Sequence, residues 1–131
     1  SITSFSELRR EALECERWNL LHPGEAPRVP YVRELLAQQR GPIVAATDYM
    51  RTVADQIRQW IPGAYVTLGT DGFGRSDARA PLRRHFEVDR NFIALAALKS
   101  LADEDQIDRR TVVEAVQQLG IDPAKPNPFT S

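Results

Sequence analysis

The thirteen residues from Tyr65 to Asp77 read Tyr-Val-Thr-Leu-Gly-Thr-Asp-Gly-Phe-Gly-Arg-Ser-Asp and change character halfway. The first half is β-branched or apolar and alternates, which predicts a strand. The second half holds two glycines, two aspartates and a serine, which predicts a loop. A helical pattern follows from about Arg79. Strand, glycine loop, helix is the order in which α/β sheets present ligand-facing loops, at the carboxyl ends of their strands. The segment therefore points to an α/β packing. It makes Asp71, Gly72, Phe73, Gly74, Arg75, Ser76 and Asp77 the candidate functional edge.

The rest of the chain supplies the other layers. Ser1 to Thr3 have the character of a strand end. Ser4 and Glu7 have capping-box spacing, in which hydroxyl and carboxylate each take an orphan N–H. Behind them Leu8, Ala12, Cys15 and Asn19 share one face of a helix reaching about Asn19, with Phe5 and Leu13 flanking it. Three prolines and a glycine between His22 and Pro30 make a loop. Tyr31–Gln39 reads as a short helix with Val32, Leu35 and Leu36 on one side, stopped by Gly41 and Pro42. Ile43–Thr47 is a short apolar run and reads as a buried strand.

Asp48–Ile61 carries the cleanest helical stripe in the chain: Tyr49, Met50, Val53, Ile57, Trp60 and Ile61. Pro62 and Gly63 end it. Ala80–Phe86 is a short helix. Asp89 caps a helix over Arg90–Ala102 that is apolar on most sides and so buried on more than one face. Asp108 caps the last helix, with Val112, Val113, Val116 and Leu119 inward and Gly120 closing it. Residues 122–131 hold three prolines and read as an extended tail. Few strands among many helices, in αβαβα order, predict one α/β domain over 1–131, a three-layer sandwich whose small, mostly parallel mixed sheet has helices on both faces.

Composition excludes several functions. The chain has 131 residues and a net charge of -1, and its basic residues are dispersed, with Arg79, Arg83 and Arg84 the nearest to a cluster. Nothing favours nucleic acid or an anionic membrane as a partner. The single cysteine, Cys15, allows neither an internal disulfide nor a cysteine-cluster metal site. No apolar run is long enough to span a membrane, and the default compartment is the cytoplasm. The chain opens on Ser1 rather than methionine, which suggests a piece of something longer.

Each chemically suggestive residue has a plainer reading. The loop at 71–77 lines the mouth of a site, or it is a βα turn whose glycines supply backbone freedom and whose Ser76 or Asp77 caps the next helix. It is not a phosphate-binding P-loop, because no Lys-Ser/Thr follows the glycines. It also lacks the third glycine of a dinucleotide fingerprint, which would fall at Asp77. Arg75 binds an anion or an interface, or pairs with Asp71 or Asp77. His22 and His85 lack a neighbouring acid or nucleophile at constellation spacing and read as loop and helix-surface residues. Cys15 reads as a small buried group. Trp18 and Trp60 read as core or interface anchors.

Four segments carry a specific resemblance: Glu16 to Pro23, Ala46 to Met50, Leu68 to Asp77 and His85 to Asp89. In order and spacing they are similar to the C-terminal region of the homodimeric bacterial pyruvate dehydrogenase decarboxylating components, within the transketolase-like thiamine-diphosphate enzymes. The wider superfamily shares only the Phe-Gly-x-Ser core, here Phe73, Gly74 and Ser76, and a phenylalanine near Phe86. The resemblance implies an α/β sandwich belonging to a chain several times longer. It implies that a first strand, a helix and most of a second strand precede Ser1.

It further implies a parent that decarboxylates pyruvate on thiamine diphosphate and Mg²⁺ and reductively acetylates lipoyl groups. The cofactor would be held by other domains, so no catalytic, cofactor or metal residue is carried onto this sequence. The implied partners are a second copy of the parent subunit, in a homodimer, and the dihydrolipoyl acetyltransferase core. The domain itself would serve subunit packing or assembly and be inactive alone. The residues also allow a different class: a free-standing interaction module that self-associates or docks a partner. A large exposed apolar patch would favour the module. A concave polar pocket would favour a domain that faces a ligand.

Overall fold

The computed structural model describes residues 1–72 and 74–131. In chain order the elements are α1 (Phe5–Leu21), α2 (Tyr31–Leu36), β1 (Ile43–Ala46), α3 (Arg51–Asp55), a 3-10 turn at Arg58–Trp60, β2 (Tyr65–Leu68), α4 (Arg79–His85), α5 (Arg90–Asp103) and α6 (Arg109–Gln118). The two strands pair in parallel, with Ile43 opposite Tyr65 and Ala46 opposite Leu68. Parallel neighbours need a crossover, and α3 with its 3-10 turn supplies it.

Strand alternation divides the apolar residues between two faces. Ile43, Ala45 and Tyr65 join Ala12, Val32, Ile57, Trp60 and Ile61 under the helices of the first half. Val44, Val66 and Leu68 face the other way, onto Leu82, Phe86, Val88, Phe92 and Ala96. The result is three layers, helices either side of a two-stranded sheet, with α6 packed on α5. Trp60 and Ile57 are the largest side chains wholly buried. Each contributes about 1.5–3 kcal/mol by leaving water.

Three of the expected caps form. The Ser4 hydroxyl accepts from the Glu7 N–H, Asp89 from Phe92 and Asp108 from Arg110. The capping box is only half made, because the Glu7 carboxylate pairs with Arg10 at 3.1 Å.

Several local expectations are corrected. Ser1–Thr3 belong to no strand. β1 is half-buried rather than buried, with Ala46 exposed. Leu35 and Val113 are exposed at 60% each, so α2 turns Val32 and α6 turns Val112 and Ala115 inward instead. The helix expected over Asp48–Ile61 is shortened at both ends. At its start the backbone is used elsewhere: Tyr49 N–H donates to the Thr47 hydroxyl, Thr70 N–H to the Tyr49 carbonyl, and Arg51 N–H to Asp71. At its end Pro62 disfavours a helical Ile61, which is extended at ψ 126°.

The C-terminal residues 122–131 are not extended. They turn at Asp122–Lys125 and at Asn127–Thr130. Lys125 Nζ donates to the His85 carbonyl at 2.9 Å and pairs with Glu87 at 3.2 Å, which ties the tail to the end of α4. Glu87 sits at φ 63°, a strained angle for a residue with a Cβ.

Candidate functional site

The carboxyl ends of β1 and β2 point the same way, and the chain leaves both in loops. Asp48 follows β1; Thr70 and the glycine loop follow β2. The two loops are locked together. The Thr70 hydroxyl donates to the Asp48 carbonyl at 2.7 Å, and Gly69 sits so close to 49–51 that an added Cβ would lie 2.5 Å from Arg51 N. Only glycine fits there. Asp71 accepts from the Arg51 N–H at 3.0 Å, and its other oxygen faces the Arg51 guanidinium at 3.5 Å.

These loops and α4 enclose a cleft of about 370 Å³. Asp48 and Thr70 form one side, Gly72, Gly74 and Arg75 the rim, and Arg79, Leu82, Arg83 and Phe86 the helical wall. Arg79 and Arg83 are one helical turn apart and so project on the same face. Arg83 meets Asp48 at 3.3 Å. Among the described residues Arg75 and Arg79 make no ion pair. The cleft is therefore cationic, with an apolar floor at Leu82 and Phe86.

The seven loop residues do different jobs. Asp71 braces α3. Gly72, at φ 108°, meets the Pro128 carbonyl of the tail so closely that a Cβ there would collide. Gly74 and Arg75 face the cleft. Ser76 is exposed. Asp77 accepts from the adjacent Ala78 N–H at 2.7 Å. Neither Ser76 nor Asp77 caps α4, whose N-cap is Ala78 with no side-chain bond. Arg75 pairs with neither Asp71 nor Asp77. Phe73 lies outside the described residues. Asp48, Thr70, Arg79 and Arg83 were not anticipated as site residues. The i,i+4 spacing of Arg79 and Arg83 was the signal available for two of them.

His85 corrects the surface-residue reading. It is half-buried, its Nε2 is shielded from solvent, and that nitrogen has no hydrogen-bond partner among the described residues. Burial, then the nearby Arg75 and Lys125 charges, push its pKa below the usual 6.5, so the ring is held neutral. His22 stacks on Trp18 with ring centroids 4.4 Å apart, and Arg28 covers Trp18 at 4.0 Å. Cys15 is buried and its thiol is pushed up to about 11 by burial, then by a hydrogen bond to Glu11, so it is not a nucleophile.

The donor set does not suit a Mg²⁺–diphosphate. Mg²⁺ takes carboxylate and other oxygen ligands. No group of three or more His, Cys, Asp or Glu able to hold a metal is found among the described residues. Among the described residues the cleft is lined by one carboxylate, that of Asp48. No helix of the described residues is long and apolar enough to cross a membrane.

Comparison with known proteins agrees with this architecture. A family described as Transketolase-like TK C-terminal domain matches residues 1–89. Over 98% of its length the chain is 57% identical to a protein named pyruvate dehydrogenase E1 component from Pseudomonas aeruginosa, of which it covers 15%. It is 50% identical to the protein of the same name from Escherichia coli, again over 98% of the chain and 14% of the relative. A Cupriavidus necator protein of that name is 56% identical over 97% of the chain and 14% of the relative. The chain thus spans about 15% of the length of these curated relatives. With its layered parallel α/β architecture and a matched region that runs from α1 through α4, the chain belongs to the transketolase-like C-terminal domain family.

Proposed function

We propose that this chain is the C-terminal domain of a pyruvate dehydrogenase E1 component. The parent would decarboxylate pyruvate on thiamine diphosphate with Mg²⁺ and reductively acetylate lipoyl groups of a dihydrolipoyl acetyltransferase core. It would work as a cytoplasmic homodimer. The observation that carries this reading is the 57% identity to a pyruvate dehydrogenase E1 component, spread over 98% of the chain. On its own the domain is catalytically inactive and serves subunit packing or assembly of the complex.

A specific observation keeps the interaction-module reading in view. Leu20, Leu21, Val29, Tyr31 and Leu35 are all more than half exposed, at the end of α1, in the loop that follows it and on α2. Large apolar side chains grouped in this way suit a face that packs on protein.

The test is an assay of this chain with pyruvate, thiamine diphosphate, Mg²⁺ and an artificial electron acceptor. The expected result is no turnover and no Mg²⁺-dependent rise in melting temperature, since a ligand that binds only the folded state raises it by mass action. Turnover, or a melting shift that requires Mg²⁺, would show that the domain carries the cofactor chemistry itself.

A further inference from the structure

Beyond that reading, the cationic cleft has the makings of a binding site in its own right. Arg75, Arg79 and Arg83 reach it from two separate segments, the glycine loop and α4. Its volume of about 370 Å³ falls in the range of small-molecule sites. Among the described residues Asp48 is the one carboxylate lining it, and its side chain, 62% exposed, engages Arg83 alone, through a single 3.3 Å contact. Such an exposed pair contributes little and exchanges readily with a stronger acceptor.

We infer that the cleft lined by Asp48, by Gly72, Gly74 and Arg75, and by α4 binds a small phosphate monoester, its phosphate held by Arg75, Arg79 and Arg83 and its organic part lying on Leu82 and Phe86. Three planar guanidiniums offer many more N–H donors than one carboxylate ligand can accept. A phosphate has three terminal oxygens and close to two negative charges, and it satisfies two forks at once. The Thr70 hydroxyl is already committed to the Asp48 carbonyl and makes no claim on the ligand. The depressed pKa of His85, to which Arg75 contributes, reports the same positive field on the neighbouring side of α4. Nothing in this binding requires Mg²⁺, which separates it from the cofactor chemistry of the proposed parent.

The experiment is calorimetric titration of the chain with phenyl phosphate and with benzoate, at constant ionic strength and without divalent metal. Phenyl phosphate is expected to bind one to one and at least tenfold more tightly than benzoate. Arg75→Gln and Arg79→Gln are expected to weaken it by roughly tenfold or more each. Arg84→Gln, on the same helix but outside the cleft, is expected to leave it unchanged. Asp48→Asn removes the competing carboxylate and is expected to tighten binding several-fold, a gain that an unfolded variant cannot produce. Absence of saturable binding, equal affinity for benzoate, or an equal loss in Arg84→Gln would overturn the assignment.

Discussion

Gly72 and Gly74 are two residues apart and bear very different constraints. Gly72 combines φ 108° with an approach to the Pro128 carbonyl that leaves no room for a Cβ. Gly74 has no atom within 4 Å of where a Cβ would stand and no positive φ. Gly72→Ala should therefore cost about 1–3 kcal/mol. It should also lower the melting temperature by roughly 4 °C for each of those kcal/mol. Gly74→Ala should be close to neutral. Paired thermal melts check this, and equal behaviour of the two variants would contradict the tail's docking on Gly72.

His85 gives a second prediction at this scale. Its folded pKa lies below 6.5, so between that folded value and 6.5 the unfolded chain binds more protons than the folded one. Stability from this residue is complete above about 6.5 and is lost as pH falls through that value towards the lower folded one. Urea midpoints at pH 7.5 and 5.5 should fall on acidification, and less so in His85→Asn. A larger fall in the variant would place the shielded nitrogen wrongly. The Gly72 contact was not legible in sequence, because it is made by a tail more than 50 residues away that folds back on the loop.

At the scale of elements, what could be read was what depends on near neighbours. Ser4, Asp89 and Asp108 cap the helices they precede, since a cap is decided within three or four residues. The alternation of β2 and the stripe Ala12–Cys15 were equally local. What failed depended on competition. The stripe from Tyr49 to Ile61 has helical period throughout, yet Tyr49 and Met50 are exposed at 72% and 59%: the Tyr49 carbonyl accepts from Thr70 just past β2 and the Arg51 N–H donates to Asp71, so the helix starts only at Arg51. Val113 is exposed because the inward face of α6 runs through Val112, Ala115, Val116 and Leu119 at helical spacing and leaves Val113 off it.

The 3-10 turn that replaces the end of that helix places Trp60 where its indole N–H donates to Glu16 at 2.9 Å, joining the crossover to α1. Glu16→Ala would leave that buried donor unsatisfied and should destabilise by about 1–3 kcal/mol. Glu16→Gln keeps an acceptor and should cost less. Chemical denaturation of both variants measures the difference, and a neutral Glu16→Ala would show that the contact carries no stability.

For the whole molecule, two strands form a sheet with helices on both sides, and the cleft at their carboxyl ends is built of arginines rather than of a catalytic group. The position of that cleft was legible, because a glycine loop after a strand marks it. The wall facing α4 was not, since Asp48 after β1 meets Arg83 only once the strands and α4 have packed together. As proposed above, this α/β unit would be one domain of a pyruvate dehydrogenase E1 component. The mass of the native polypeptide, detected in its source cells with an antibody against the chain, decides this. The account predicts a species roughly seven times heavier than the 14.8 kDa of these residues, in keeping with the 15% of its relative that the chain covers. A native species of 14.8 kDa would contradict it and make the free-standing interaction module the better account.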